Sequence, residues 1–238
     1  MGTTSSSIAV SGAVIVLIAL VAACAPVRHA SNGEGSHRSV SHLFDATTAI
    51  QDRWTHLPLR GSTEYRITTR EGRTAIRAIG KRSASGLIRR VDVDPQRCRN
   101  VEWSWAVTRL QPGADLREKK REDVAASIFL LFGDPGFLFD PQPVPTLRYV
   151  WTNEKVPVDT VIDNPYLPGT VRSIVIRSGA DGMGNWIVER RDISSDFRRA
   201  FNRDPEAPVQ AIVLFTDNDQ TGEPVEAYYG FAKALCAS

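Results

Sequence analysis

Val209 to Phe215 is an almost unbroken apolar run, the pattern of a strand buried on both faces. Thr216-Asp217-Asn218-Asp219-Gln220-Thr221-Gly222 then supplies turn chemistry with two carboxylates. Val225 to Leu235 returns as an aromatic-rich strand. The remaining pattern is also that of strands. Glu64–Thr68 and Thr74–Gly80 flank Glu71-Gly72-Arg73, a hairpin signal. Ser83-Ala84-Ser85-Gly86 reads as a turn into a strand over 87–93. Val101, Trp103, Trp105 and Val107 alternate with polar neighbours and share one strand face. Further strands are predicted over 124–132 and 147–151, and as a pair at 171–178 and 185–192 around Gly179–Gly184. Residues 42–54 fit a short helix or a first strand. Residues 194–201 predict one helix, N-capped by Ser194 or Ser195, with Asp196 at its positive end.

Nine or ten strands, frequent turns and one short helix predict an all-β antiparallel β-sandwich or jelly roll. No βαβ rhythm is present, which argues against doubly wound and TIM-type folds. The chain has 238 residues, a length for one domain, over 42–238. Lys and Arg number 29 against 27 acids, for a net charge of +2 with the signs intermixed. A nucleic-acid surface needs clustered cations, so no nucleic-acid partner is expected.

The N-terminus reads as an address. Ile8 to Ala23 is apolar and small, and Val21-Ala22-Ala23-Cys24 resembles a bacterial lipobox. In that signal the peptidase cuts before the cysteine, which carries lipid. The expectation is a signal peptide over 1–23, a lipid-bearing Cys24, and a Ser/Gly/Pro/His-rich tether to residue 41. This would place the domain in the bacterial cell envelope, membrane-anchored and facing the periplasm or exterior. An uncleaved membrane anchor is the rival reading, and an N-myristoylation pattern at Met1–Ser6 is a third.

Several segments occurring in order resemble a bacterial family known as domain of unknown function 3047. They are Ser83–Leu87, Trp103-Ser104-Trp105, Glu122-Asp123, Tyr149-Val150-Trp151, Trp186 with Glu189–Ile193, Asp196–Phe201, Phe215–Gly222 and Ala227–Gly230. The resemblance implies an exported protein with a sandwich like those of carbohydrate-binding modules, and no established activity. Phe231 stands where the family has an acid, and Ser127 where it has an arginine.

Candidate chemistry is narrowed by what is missing. All four histidines (His29, His37, His42, His56) precede the clear strands, so a Ser-His-Asp, Cys-His or histidine-rich zinc site on the sandwich is not expected. Cys98 and Cys236 form an even pair for an oxidising compartment and predict a disulfide, with two buried free thiols as the alternative. Asp217 and Asp219 offer hard oxygen ligands for Ca²⁺; the plainer reading is a carboxylate-stabilised turn with no cofactor. Asp115, Glu122, Asp123, Asp217 and Asp219 are the carboxylates available for glycoside chemistry. The charged stretch 111–123 reads as a solvated loop.

Together these predict a non-catalytic envelope lipoprotein whose sandwich binds a glycan or another envelope component. Trp105, Trp151, Asp217, Asp219 and Tyr229 would line or brace the site. The alternatives are a carboxylate-based polysaccharide enzyme and a structural lipoprotein without a small ligand. The partners expected are a lipid membrane, through Cys24, and a glycan or envelope protein.

Overall fold

The apolar run after Pro208 becomes an interior strand of the seven-stranded sheet, the larger of the two that make the sandwich. The structure, a computed structural model, describes residues 39–47, 49–137, 140–153 and 155–237. In chain order its elements are β1 (Ser39–Asp45), α1 (Ile50–Arg53), β2 (Thr55–Arg60), β3 (Glu64–Arg70), β4 (Arg73–Ile79) and β5 (Ala84–Val93). There follow β6 (Asn100–Arg109), β7 (Ala126–Phe132), β8 (Gly136–Phe137), β9 (Asp140–Pro141) and β10 (Thr146–Thr152). The chain ends with β11 (Val161–Asp163), β12 (Val171–Ser178), β13 (Ile187–Asp192), α2 (Ile193–Phe201), β14 (Val209–Asp217) and β15 (Glu226–Cys236). The signal peptide, Cys24 and the tether up to residue 38 lie outside the described residues.

The fold is an all-β sandwich. One sheet runs β13-β6-β15-β4-β3, with β1 also pairing β15. The other runs β11-β12-β10-β7-β14-β5-β2. Facing residues of the two sheets make the core. Val101, Trp103, Trp105 and Val107 of β6 meet Leu147, Tyr149 and Trp151 of β10, with Ile128, Leu130, Ile212 and Leu214. Trp103 stacks on Tyr149 at 5.0 Å, and Trp105 lies 6.0 Å from Trp151.

Several elements differ from the sequence reading. The domain starts at β1, so residues 39–41 are strand rather than tether. Residues 42–54 hold both alternatives, a strand and then a four-residue helix. Ala84–Gly86 is strand rather than turn, because it extends the β5–β14 ladder as far as Asp217. β12 and β13 exist as predicted but do not pair. β12 lies parallel to β10 in one sheet, and β13 antiparallel to β6 in the other, so the glycine-rich link crosses the sandwich. α2 is capped by Asp192, whose side chain accepts from Ser195 N. Cys98 and Cys236 are joined by a disulfide.

A groove over the seven-stranded sheet

Alternation along β14 sends Val213, Phe215 and Asp217 to the face of the sheet away from the core. Phe129 and Leu131 of β7, Thr146 and Arg148 of β10, and Ala84 and Ile88 of β5 join them. They floor a groove of about 2030 Å³. It crosses β2, β5, β14, β7 and β10, five neighbouring strands that at about 4.8 Å spacing give a ~19 Å floor. Gly86 makes room in it: a Cβ there would meet Phe215 Cδ2 at 2.8 Å and Leu214 O at 2.9 Å. Phe129 and Phe215 stand edge to face at 5.7 Å. One wall carries Tyr166, which is 44% exposed. Its hydroxyl donates to Lys119 O and accepts from Gln220 Nε2.

A charged cluster lies at the same end. Arg148 is buried on β10 and donates through Nη1 to Glu122, while its Nη2 lies 3.8 Å from Asp217 Oδ1. Asn164 Nδ2 also donates to Glu122 (3.1 Å). Asp217 Oδ1 accepts from Val124 N (2.9 Å), so the strand end is tied to the loop before β7. Asp123 accepts from the backbone of Gln220 and Thr221 and from the Thr221 hydroxyl. It is therefore Asp123, and not Asp219, that holds the acidic turn. Asp219 Oδ2 accepts from Arg60 and from Gln220 Nε2.

Asp123, Asp217 and Asp219 each bring an oxygen within 4.8 Å of the others, an arrangement able to hold a metal ion. The Asp219 side chain is only 5% exposed, yet its Oδ1 has no hydrogen-bond partner; neither has Gln220 Oε1. Burial raises the Asp217 carboxyl well above its ordinary value, with Arg148 opposing and Glu122 reinforcing the rise. Glu122 is raised by burial against the pull of Arg148. Asp219 is raised by burial and by the charge of Asp123, against Arg60.

The sequence-predicted residues divide. Asp217 and Asp219 line the groove. Trp105, Trp151 and Tyr229 do not; all three are fully buried between the sheets. The face that Trp103 and Trp105 share with Val101 and Val107 is the core face. Tyr229 braces the site from below, its hydroxyl bonding Thr216 Oγ1, Phe215 O and Ser127 N. Tyr228, on the opposite face of β15, is covered by Trp186 and Arg70. Asp115 is drawn away to Arg117. His56, expected outside the strands, lies on β2 in the groove wall with Nε2 3.1 Å from Ser85 Oγ. Ser85 is fully buried and also accepts from Thr63 N, so the pair is a strand-edge brace and not an exposed nucleophile with its base. Arg148, Tyr166, Phe129, Phe215 and Gln220 were not named as site residues from the sequence. The available signal was that 124–132 and 209–215 are apolar on both faces, which requires a second apolar surface beside the core.

No curated protein matches this chain. Solved structures similar in fold include the family 11 carbohydrate-binding module of a cellulosomal cellulase of Clostridium thermocellum, at 10% identity and a TM-score of 0.44, covering 86% of this chain and 97% of that one. The endoglucanase cel12A from Rhodothermus marinus aligns at 10% identity and a TM-score of 0.48, covering 84% and 97%. The xylan-binding CBM22-1 domain of Paenibacillus barcinonensis Xyn10C aligns at 12% identity and a TM-score of 0.36, covering 87% and 99%. The family model described as "Protein of unknown function (DUF3047)" matches residues 52–232, and the chain belongs to that family.

Proposed function

We propose that this protein is a non-catalytic cell-envelope lipoprotein, held at a membrane by acylated Cys24, whose groove binds a glycan. The groove itself carries the reading. At about 2030 Å³ it exceeds the roughly 300–1,000 Å³ of an ordinary small-molecule pocket, so it suits an extended ligand. Phe129 and Tyr166 offer apolar faces to sugar rings, while Gln220 and His56 offer bonds to hydroxyls. The apolar run ending at Cys24 supports the anchor.

The reading includes a Ca²⁺ ion at the acidic end, held by Asp217 and Asp219 with Asp123. Carboxylate and amide oxygens suit a hard cation. Glu122, Asp123, Asp217 and Asp219 face only the guanidiniums of Arg60 and Arg148, four charges against two, and a divalent ion cancels the remainder. The unpartnered Asp219 Oδ1 and Gln220 Oε1 are oxygens left for it.

The test is titration calorimetry of the full chain, in detergent, against purified envelope glycan fragments. Saturable binding is expected, weakened about fivefold by Tyr166→Ala. The Cys24→Ser variant should leave the membrane fraction. Absence of binding to any glycan would overturn the reading, and release of new reducing ends would replace it with the carboxylate enzyme.

A further inference from the structure

The groove changes chemistry along its strands. On β14 the outward side chains run from Asp217 through Phe215 to Val213. The register sets Ala84, Gly86 and Ile88 of β5 beside those three, and Phe129 and Leu131 of β7 beside Val213 and Ala211. The Asp217 end holds polar groups: Gln220 Nε2 donates both to the Tyr166 hydroxyl and to Asp219 Oδ2. Past Phe215 the floor is Ile88, Val213, Phe129 and Leu131, side chains without a donor or acceptor. Ile88, Phe129 and Leu131 are only partly covered. Beyond them Val144 and Pro135 line the groove, and Arg90 is held there by Asp134 and Gly136 O. The two sides are apolar as well. Leu59, on the β2 edge, is 68% exposed, and Leu167, in the loop between β11 and β12 at the other edge, is 54% exposed. Large side chains left open on both sides of an apolar floor mark a binding surface.

We propose that the ligand is a lipid-linked glycan, with its sugar at the Tyr166–Gln220 end and its hydrocarbon chain laid over Ile88 and Leu131 toward Val144. This rests on the glycan and lipoprotein reading and narrows its ligand class. A pyranose turned onto Ile88, Val213 and Leu131 would lose water at its hydroxyls and find no partner in exchange. A hydrocarbon chain has no such groups to desolvate and gains by leaving water. Phe129 stands between the two zones, its ring centre 5.1 Å from the Arg148 guanidinium carbon, where a sugar ring and the start of a chain can share it. From Ala211 to Asp217 the strand measures ~20 Å, which seats a sugar and a chain end to end. The anchor argues for this ligand over a free polysaccharide. The chain from Cys24 to Ser39 spans at most ~50 Å when fully extended, so the groove of an acylated protein stays close to a bilayer. A glycan that is itself fixed in that bilayer meets the groove at a raised effective concentration.

The test uses the full chain in phosphatidylcholine nanodiscs, and calorimetry with methyl, hexyl and octyl maltoside below their micelle concentrations. Empty nanodiscs give the bilayer's own uptake, which is subtracted. Affinity is expected to rise about threefold for each methylene added. Leu59→Ser and Leu131→Ser should each cut the octyl-to-methyl affinity ratio about fivefold. Tyr166→Ala should weaken all three glycosides by one common factor and leave that ratio as it is. Leu59 is exposed, so its variant keeps the fold even where thermal unfolding shows that Leu131→Ser does not. Affinity independent of alkyl length, or a ratio that survives Leu59→Ser together with any folded Leu131→Ser, would overturn the proposal while leaving the glycan reading intact. Octanol binding as tightly as octyl maltoside would overturn both readings, because the sugar would then contribute nothing. Failure of all three glycosides would also overturn both.

Discussion

Asp219 holds one buried oxygen without a partner while its other oxygen accepts from Arg60 and Gln220. A buried acceptor left open costs about 1–3 kcal/mol, a penalty a bound cation removes. Calcium titration should therefore show a saturable site and a rise in unfolding temperature with Ca²⁺, since an ion that binds only the folded state stabilises it by mass action. Asp219→Asn keeps the shape and removes one of the three carboxylate charges, so the calcium response should fall at least tenfold. A heat of binding unchanged in Asp219→Asn would remove this residue from the ligand set. Asp217 and Asp219, which line the groove, were legible as candidates because two carboxylates in a turn stand out in any sequence. Arg148 was not. Its position inside Leu147–Trp151 looks like strand alternation, and only the fold shows that it meets Glu122 and Asp217 with 2% of its side chain exposed. Trp105 and Trp151 lie away from the groove for a related reason. Alternation shows that Trp103 and Trp105 share a face, and the valines beside them indicated that this face is the core.

The stretch 111–123 is the element that departs furthest from its composition. Eight charged side chains in thirteen residues read as a solvated loop. The structure packs it over the outer face of β10 and β12: Leu116 and Val124 are fully buried with Val150, Val156 and Val175. Side-chain amides hold its backbone, Asn153 Nδ2 donating to Gln111 O and Ala114 O. Asp115 closes it, accepting from Arg117 N, Nε and Nη2. Those bonds bring the Asp115 carboxyl down to about 2 from an ordinary 3.8. A lowered folded-state value means stability that is complete above the unfolded value, near pH 4, and is lost as pH falls through about 2. Arg117 is more than half exposed, so solvent screens the pair. Asp115→Asn should cost about 1 kcal/mol at pH 7. The gap to wild type should narrow by about half at pH 3. Urea unfolding at both pH values measures it, and a gap that does not change with pH would assign the cost to packing and not to charge. The longer strands were legible because period-2 alternation and turn residues are local signals, whereas β2, with Pro58 inside it, and the three-residue β11 were not predicted. The partners of β12 and β13 were not, because a glycine-rich link of six residues serves a hairpin and a crossing between sheets equally well.

At the scale of the whole molecule, closure depends on the two chain ends of the β6–β15 pair. Leu235 lies opposite Asn100 in that ladder, and Ser39 of β1 lies opposite Cys236. The disulfide from Cys98 to Cys236 thus pins the first strand, the last strand and the centre of one sheet at a single corner. The backbone bond from Ala237 N to Arg97 O (2.8 Å) continues the same clamp. The bond spans 138 residues. A loop of that length loses much of its unfolded-state freedom when cross-linked, which in the loop-entropy model stabilises the fold by about 5 kcal/mol. Reduction of the wild-type chain should lower its stability by an amount of that order, and the Cys98→Ala/Cys236→Ala variant should match the reduced protein to within about 1–2 kcal/mol of cavity cost. For a domain of this size that is a fall in unfolding temperature of roughly 10–20 °C. Denaturant midpoints of oxidised, reduced and doubly substituted chains settle the attribution. If all three coincide, the corner is held by strand pairing and burial alone. If reduced and substituted chains fall together, the covalent bond sets the stability, and the protein depends on an oxidising compartment such as the one its N-terminal pattern predicts.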